Sequence, residues 1–132
     1  MSFGERFPLV GLNRGMVLVV GDFYSPMRRV RTILLLDTGS SVTTLTPKAL
    51  RKLGLNPQKP HVVRRTHVWG GIQEVPILVV PRVRVFGQEV HDLEVACGDL
   101  APALKIDGVL GLNFLRHFDL CINFREEYLE LR

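Results

Sequence analysis

The stretch Ile33-Leu34-Leu35-Leu36-Asp37-Thr38-Gly39-Ser40-Ser41-Val42 decides the reading: an apolar run ends abruptly in an acid and a string of small, hydrogen-bonding residues. A short apolar run bounded by turn-formers reads as a buried strand. A carboxylate at the end of such a strand needs a reason, because removing its charge from water is costly. Taken alone, the acid simply opens a turn, since Asp, Thr, Gly and Ser all favour turns by bonding side chain to backbone. The surrounding sequence has to decide between turn and site.

Working outward, most apolar residues fall in short runs rich in Val, Ile and Leu, separated by Gly, Pro, Asn or Asp, which predicts a mainly β protein with tight turns. The expected strands are Met16 to Val20, Val30 to Leu36, Val62 to Trp69, Ile72 to Val80, Arg82 to Phe86, Glu89 to Ala96, Phe118 to Phe124 and Tyr128 to Leu131. Arg82-Val83-Arg84-Val85 alternates as a half-exposed antiparallel strand does. Two segments read as short helices. In Thr46 to Gly54, threonine caps the free amides, Pro47 suits the first helical position and Gly54 closes in the left-handed conformation. In Leu112 to His117, the spacing of Leu112, Leu115 and Phe118 predicts one apolar face on the sheet. Gly70-Gly71 between two strands predicts a two-residue hairpin, because both positions tolerate positive φ.

Leu35-Leu36-Asp37-Thr38-Gly39-Ser40-Ser41 resembles the active-site motif of aspartic proteases, two apolar residues followed by D-T-G-S or D-T-G-A. Downstream, Ile106-Asp107-Gly108-Val109-Leu110-Gly111-Leu112 resembles the apolar-apolar-Gly segment that crosses the active-site loop in pepsin-like and retroviral enzymes, followed there by a short helix. Trp69-Gly70-Gly71-Ile72 is similar to the glycine-rich flap tip of the retroviral members. The three occur in family order and cover the chain from about Leu9 to Leu131, a combination more specific than any one of them. The resemblance implies a retropepsin-like closed β-barrel or sandwich with a ψ-loop, a flap hairpin and one or two short helices, as a single domain over 1–132.

By the same resemblance, Asp37 is the catalytic carboxylate, Thr38, Gly39 and Ser40 complete its loop, and Trp69, Gly70, Gly71 and Ile72 close over a peptide substrate. Such enzymes use two carboxylates sharing one proton, one activating a water and the other polarising the carbonyl. The chain offers one D-T-G, and Asp107 lacks the hydroxyl-bearing residue that follows Asp37, so it reads as structural, as it does in the D-G-I-L-G of pepsin-like enzymes. The second carboxylate is then expected from another copy across a two-fold axis, giving a homodimer. Ser40 stands where retroviral enzymes typically carry alanine. A hydroxyl bonded to the carboxylate lowers its pKa, so a more acidic working range is expected. Retroviral termini interleave at the dimer interface; here the carboxyl end alternates like a strand, while Met1 to Pro8 shows no strand pattern.

Composition bounds the alternatives. One domain fits 132 residues, and 46% hydrophobic with 23% charged residues describes a chain that folds. The net charge of +4 is spread in pairs such as Arg28-Arg29 and Arg64-Arg65, without a nucleic-acid motif, so no specific nucleic-acid partner is expected. Cys97 and Cys121 match neither a zinc motif nor a disulfide framework and read as buried thiols, and the four histidines stand alone, so no metal and no cofactor are expected. No apolar run is long enough to span a bilayer and no export signal is visible, so a cytoplasmic protein without membrane contact is expected, with dimerisation as its control. The expected reaction is hydrolysis of extended peptides between apolar residues. A catalytically silent dimerisation or peptide-binding module of the same fold is the competing reading, and fold alone does not separate the two.

Overall fold

Alternation along the strands sets which side faces the core. In the computed structural model, which describes residues 4–68 and 70–132, the strands are β1 (Arg6–Pro8), β2 (Leu18–Tyr24), β3 (Arg29–Leu36), β4 (Thr43–Leu45), β5 (Val62–Val68), β6 (Gly71–Val85), β7 (Gln88–Cys97), β8 (Gly108–Leu110), β9 (Leu120–Asn123) and β10 (Tyr128–Leu131), with helices α1 (Pro47–Lys52) and α2 (Leu112–Leu115). Strands β2, β3, β8, β4, β7 and β6 pair in that order, and β6 returns to β2, closing a six-stranded barrel. Closure leaves the barrel without an end strand. Phe23, Leu34, Val80, Val83, Val95 and Leu110 point inward and are fully buried.

The mainly β, retropepsin-like architecture agrees with the expectation, and α1 forms as read. Thr46 accepts a hydrogen bond from the Ala49 amide at 3.2 Å, Pro47 opens the helix and Gly54 closes it at φ 85°. Its inner face buries Ala49, Leu50 and Leu53. Helix α2 is shorter than expected and turns differently. Leu112 is 42% exposed and the buried side chains are Phe114 and Leu115. Gly111 packs against the Val42 backbone, so the next residue is directed outward.

Three further expectations are corrected. The two strands expected on either side of Pro81 are one, β6. Pro81 lies where β6 has left β5, whose pairing ends at Ile77, and has not yet met β2, whose pairing starts at Arg82. A residue without an amide proton is tolerated at such a free edge. The hairpin pairs Val68 with Gly71, so Gly71 belongs to the strand rather than to the connection. Neither cysteine is buried: Cys121 is exposed on the edge strand β9 and Cys97 is half-buried.

The amino end forms a strand after all. Arg6 to Pro8 pairs with Glu130 to Tyr128, and β10 pairs in turn with β9, giving a three-stranded sheet within the chain. Glu130 is buried, and Arg6 satisfies it at 3.1 Å while lying 4.2 Å over the Tyr128 ring. Pairing a buried charge in this way avoids the cost of leaving it bare. Phe7 stacks on Phe86 with centroids 4.2 Å apart, joining this sheet to the β6–β7 turn.

Candidate active site

Strand β8 enters between β3 and β4, the two strands joined by the Asp37 loop. It pairs parallel with β3 (Leu36 opposite Leu110) and antiparallel with β4 (Thr44 opposite Val109), which produces the expected ψ arrangement. Only glycine fits at the crossing. A Cβ on Gly111 would lie 2.7 Å from the Val42 carbonyl carbon and oxygen and 2.9 Å from Ser40 O. The Leu112 amide donates to Ser40 O at 2.8 Å, and the Asp37 amide donates to Leu110 O at 3.1 Å, so β8 clamps both ends of the loop.

Asp37 is half-buried at the crossing. Its Oδ1 accepts from the Gly39 amide at 2.8 Å, and a Cβ on Gly39 would stand 3.1 Å from that oxygen. Among the described residues, Oδ2 has no hydrogen-bond partner within the chain. Thr38 is exposed beside it. The Ser40 hydroxyl donates to Val42 O at 2.9 Å rather than to the Asp37 carboxylate. The hydroxyl has one proton, and the turn uses it. The expected acid-lowering bond from Ser40 is therefore absent in this chain.

Asp107 sits beside the middle of β3, at Ile33. Its Oδ2 accepts from the Ile33 amide at 2.8 Å, its own amide donates to Ile33 O, and its carbonyl accepts from the Thr46 amide at 2.9 Å. At about 3.3 Å per strand residue it lies roughly 13 Å along the strand from Asp37. It staples the barrel, in agreement with the structural reading of this residue.

Asp37 faces an open cleft of about 710 Å³. Residues of the Asp37 loop form the floor, the β5–β6 hairpin overhangs it, and the end of β7 with Gly98 and Asp99 forms a wall. Residues 28–114, which contain the Asp37 loop, the hairpin and the crossing strand, match the aspartyl protease family. The chain belongs to that family. The fold is shared with a solved retropepsin-like aspartic protease from Rickettsia conorii, at 20% identity and a TM-score of 0.69, covering 99% of this chain and 93% of that one. No curated protein matches the chain.

Within this aspartyl-protease framework, the hairpin contributes Thr66, His67, Gly70, Gln73 and Val75 to the cleft. Of the expected flap residues, Gly70 lines the cleft at φ 95°, Ile72 is 55% exposed, and Trp69 lies outside the described residues. The cleft is more polar near the hairpin than expected, since Thr66, His67 and Gln73 are polar beside Val75. Which face of the hairpin looks at Asp37 depends on how it folds over the barrel, which local sequence does not show.

Sequence reasoning missed the support beneath the loop. Asn113 Oδ1 accepts from the Thr43 amide at 2.9 Å and the Thr43 hydroxyl at 2.8 Å, Thr43 Oγ1 accepts from the Gly111 amide at 3.1 Å, and Asn113 Nδ2 donates to Glu94 O at 2.7 Å. No local pattern joins positions so far apart in the chain. It also missed Cys97 in the cleft wall. Burial pushes its thiol pKa up, Asp99 pushes the same way and Arg51 opposes. Among the described residues, no three His, Cys, Asp or Glu side chains converge as a metal site would require, and no helix is long and apolar enough to cross a membrane.

Proposed function

We propose that the chain is an aspartic endopeptidase whose active site is completed by a second copy at a two-fold axis through the Asp37 loops. One observation carries this reading: each chain places a single carboxylate on the crossed loop, with Oδ1 held by a backbone amide and the side chain facing a peptide-sized cleft. Asp107 is engaged by the Ile33 amide partway along β3. Asp99, the other acid of the cleft, is exposed on the loop after β7. The partner carboxylate therefore comes from the same residue of another protomer.

In the dimer the two Asp37 side chains share one proton, because two close carboxylates do not both ionise. The ionised one removes a proton from a bound water, which attacks the peptide carbonyl. The protonated one donates to the carbonyl oxygen and stabilises the charge that develops there. Thr38, exposed at the loop, reaches the partner's loop across the axis, and Gly39 lets the backbone pass close to the carboxylates. The β5–β6 hairpin closes on an extended substrate held by its backbone. Thr66 and Gln73, opposite each other on the hairpin, supply polar contacts to the substrate while Val42 and Val75 supply apolar ones.

The test is cleavage of a mixed peptide library by wild type, Asp37→Asn and Asp99→Asn, with molar mass measured in parallel. Cleavage should vanish in Asp37→Asn and persist in Asp99→Asn. Adding excess Asp37→Asn to wild type should depress activity, since mixed dimers hold one functional carboxylate. Activity that survives Asp37→Asn, or ignores the added mutant in a dimeric protein, would refute the shared site.

A further inference from the structure

We propose that the arginine-rich end of the barrel around Tyr24, Arg28, Arg29 and Arg82 is a docking surface for an acidic segment of a polypeptide substrate. The term substrate rests on the endopeptidase reading above; the recognition itself rests on the surface. Tyr24 on β2 lies opposite Arg29 on β3 and opposite Arg82 on β6, so the three side chains share one row across adjacent strands. A hollow of about 440 Å³ opens there, and its lining holds Arg28, Arg29 and Arg82 without a carboxylate.

Two of these guanidiniums are held by contacts that do not themselves neutralise their charge. Arg82 lies 3.8 Å over the Tyr24 ring, and Arg28 Nη1 donates to the Lys52 carbonyl at 3.2 Å. Glu89 stands 3.8 Å from Arg82, but it is shared with Arg84 at 3.9 Å and His91 at 3.5 Å. The neighbouring Arg31 is already occupied by Asp22 at 3.0 Å. The positive charge left over is therefore concentrated at the hollow. Planar guanidinium forks bind carboxylates through paired hydrogen bonds. Met27, 90% exposed at the tip of the β2–β3 turn, adds an apolar contact beside them.

The chemistry favours a polypeptide over a nucleic acid. Asp22 and Glu89 interrupt the cations on the next row, so no continuous basic track follows a phosphate backbone. The Tyr24 ring is covered by Arg82 and is not free on that face to stack a base. The hollow lies at the opposite end of β3 from Asp37, roughly 25 Å along the strand. A bound acidic segment would anchor the substrate without entering the cleft.

The experiment uses the full chain carrying Asp37→Asn, so that no peptide is cut. Three labelled probes are titrated by fluorescence anisotropy: a peptide alternating Glu and Leu, its Lys and Leu counterpart, and a single-stranded RNA. The acidic peptide should bind, and binding should weaken as salt shortens the Debye length from ~30 Å to ~8 Å. Arg29→Glu, an exposed site, should weaken it on the order of tenfold through like-charge repulsion, and Arg28→Ala should weaken it less, with circular dichroism unchanged in both. Equal binding of the Lys peptide, indifference to both substitutions, or preference for RNA overturns the proposal. With otherwise wild-type enzyme, Arg29→Glu should raise KM only for a substrate that carries an acidic tail. If no peptide is cleaved by any form while the acidic probe binds and responds to Arg29→Glu, the surface stands and only the proteolytic reading falls.

Discussion

Replacing Asn113 with alanine should destabilise the protein by about 3 kcal/mol, although Asn113 does not line the Asp37 cleft. The substitution removes the acceptor of the Thr43 amide and of the Thr43 hydroxyl and the donor to Glu94 O, at 2.9, 2.8 and 2.7 Å. Thr43 is fully buried, so its amide and hydroxyl lose their partner away from water. A buried polar group left without a partner costs about 1–3 kcal/mol. Asn113 itself is half-buried, so water can enter beside Glu94 and the lower end of that range applies to each of the three groups. For a chain of 132 residues, that loss corresponds to a fall in Tm of roughly 12 °C, at about 4 °C per kcal/mol. Urea denaturation at one fixed protein concentration measures it, because the proposed dimerisation would make apparent stability concentration-dependent. Thr43→Val and the double variant complete a cycle, with a coupling of about 1–2 kcal/mol expected between contacting partners. A loss below about 1 kcal/mol for Asn113→Ala, or a coupling indistinguishable from zero, refutes the claim that this network holds the loop.

Other outcomes follow from the same geometry. Ser40→Ala should leave the acidic limb of the pH-rate profile in place, because the hydroxyl bonds Val42 O; it should cost about 1 kcal/mol of stability, and an acidic limb that moves upward would contradict the observed bond. Gly111→Ala forces a Cβ to within 2.7 Å of the Val42 backbone, so it should prevent the chain from folding stably, which circular dichroism would show; a native melting curve refutes the crossing geometry. At neutral pH iodoacetamide should modify exposed Cys121 before Cys97, whose raised pKa keeps it a thiol. Because the folded state holds that proton more tightly, its contribution to stability is present below the ordinary thiol range and is lost as pH rises through the raised pKa. Mass spectrometry of digests gives the order of modification, and faster labelling of Cys97 refutes the assignment.

Much of this was legible where the cause is local. Thr46, Pro47 and Gly54 specify α1 by capping and backbone preference, and the structure places each in the expected role. The D-T-G loop and the apolar-apolar-Gly segment were legible as motifs because their glycines answer to steric demands at the crossing. Strands β1 and β4 were not legible, and β8 was legible as a motif but not as a strand. Each has three residues, too few for a period to show, and each exists because a distant strand pairs with it. Pro81 suggested a break because proline lacks an amide proton, yet the free edge of β6 needed none there. Leu112 fitted a helical stripe, but close packing at Gly111 turned it outward. The Thr43–Asn113 bonds span 70 positions, and only the assembled ψ crossing brings their atoms together.

The threading of β8 between β3 and β4 also imposes an order of events during synthesis. Asp107 meets Ile33 across 74 positions of chain, so a ribosome that has made only the D-T-G segment has not yet made the crossing. The loop keeps its shape only when the downstream strand is in place, and long-range closures of this kind form slowly. A chain cut short before β8 therefore holds the D-T-G residues without the strand that fixes their loop. The topology ties the finished site to residues that emerge some seventy positions later.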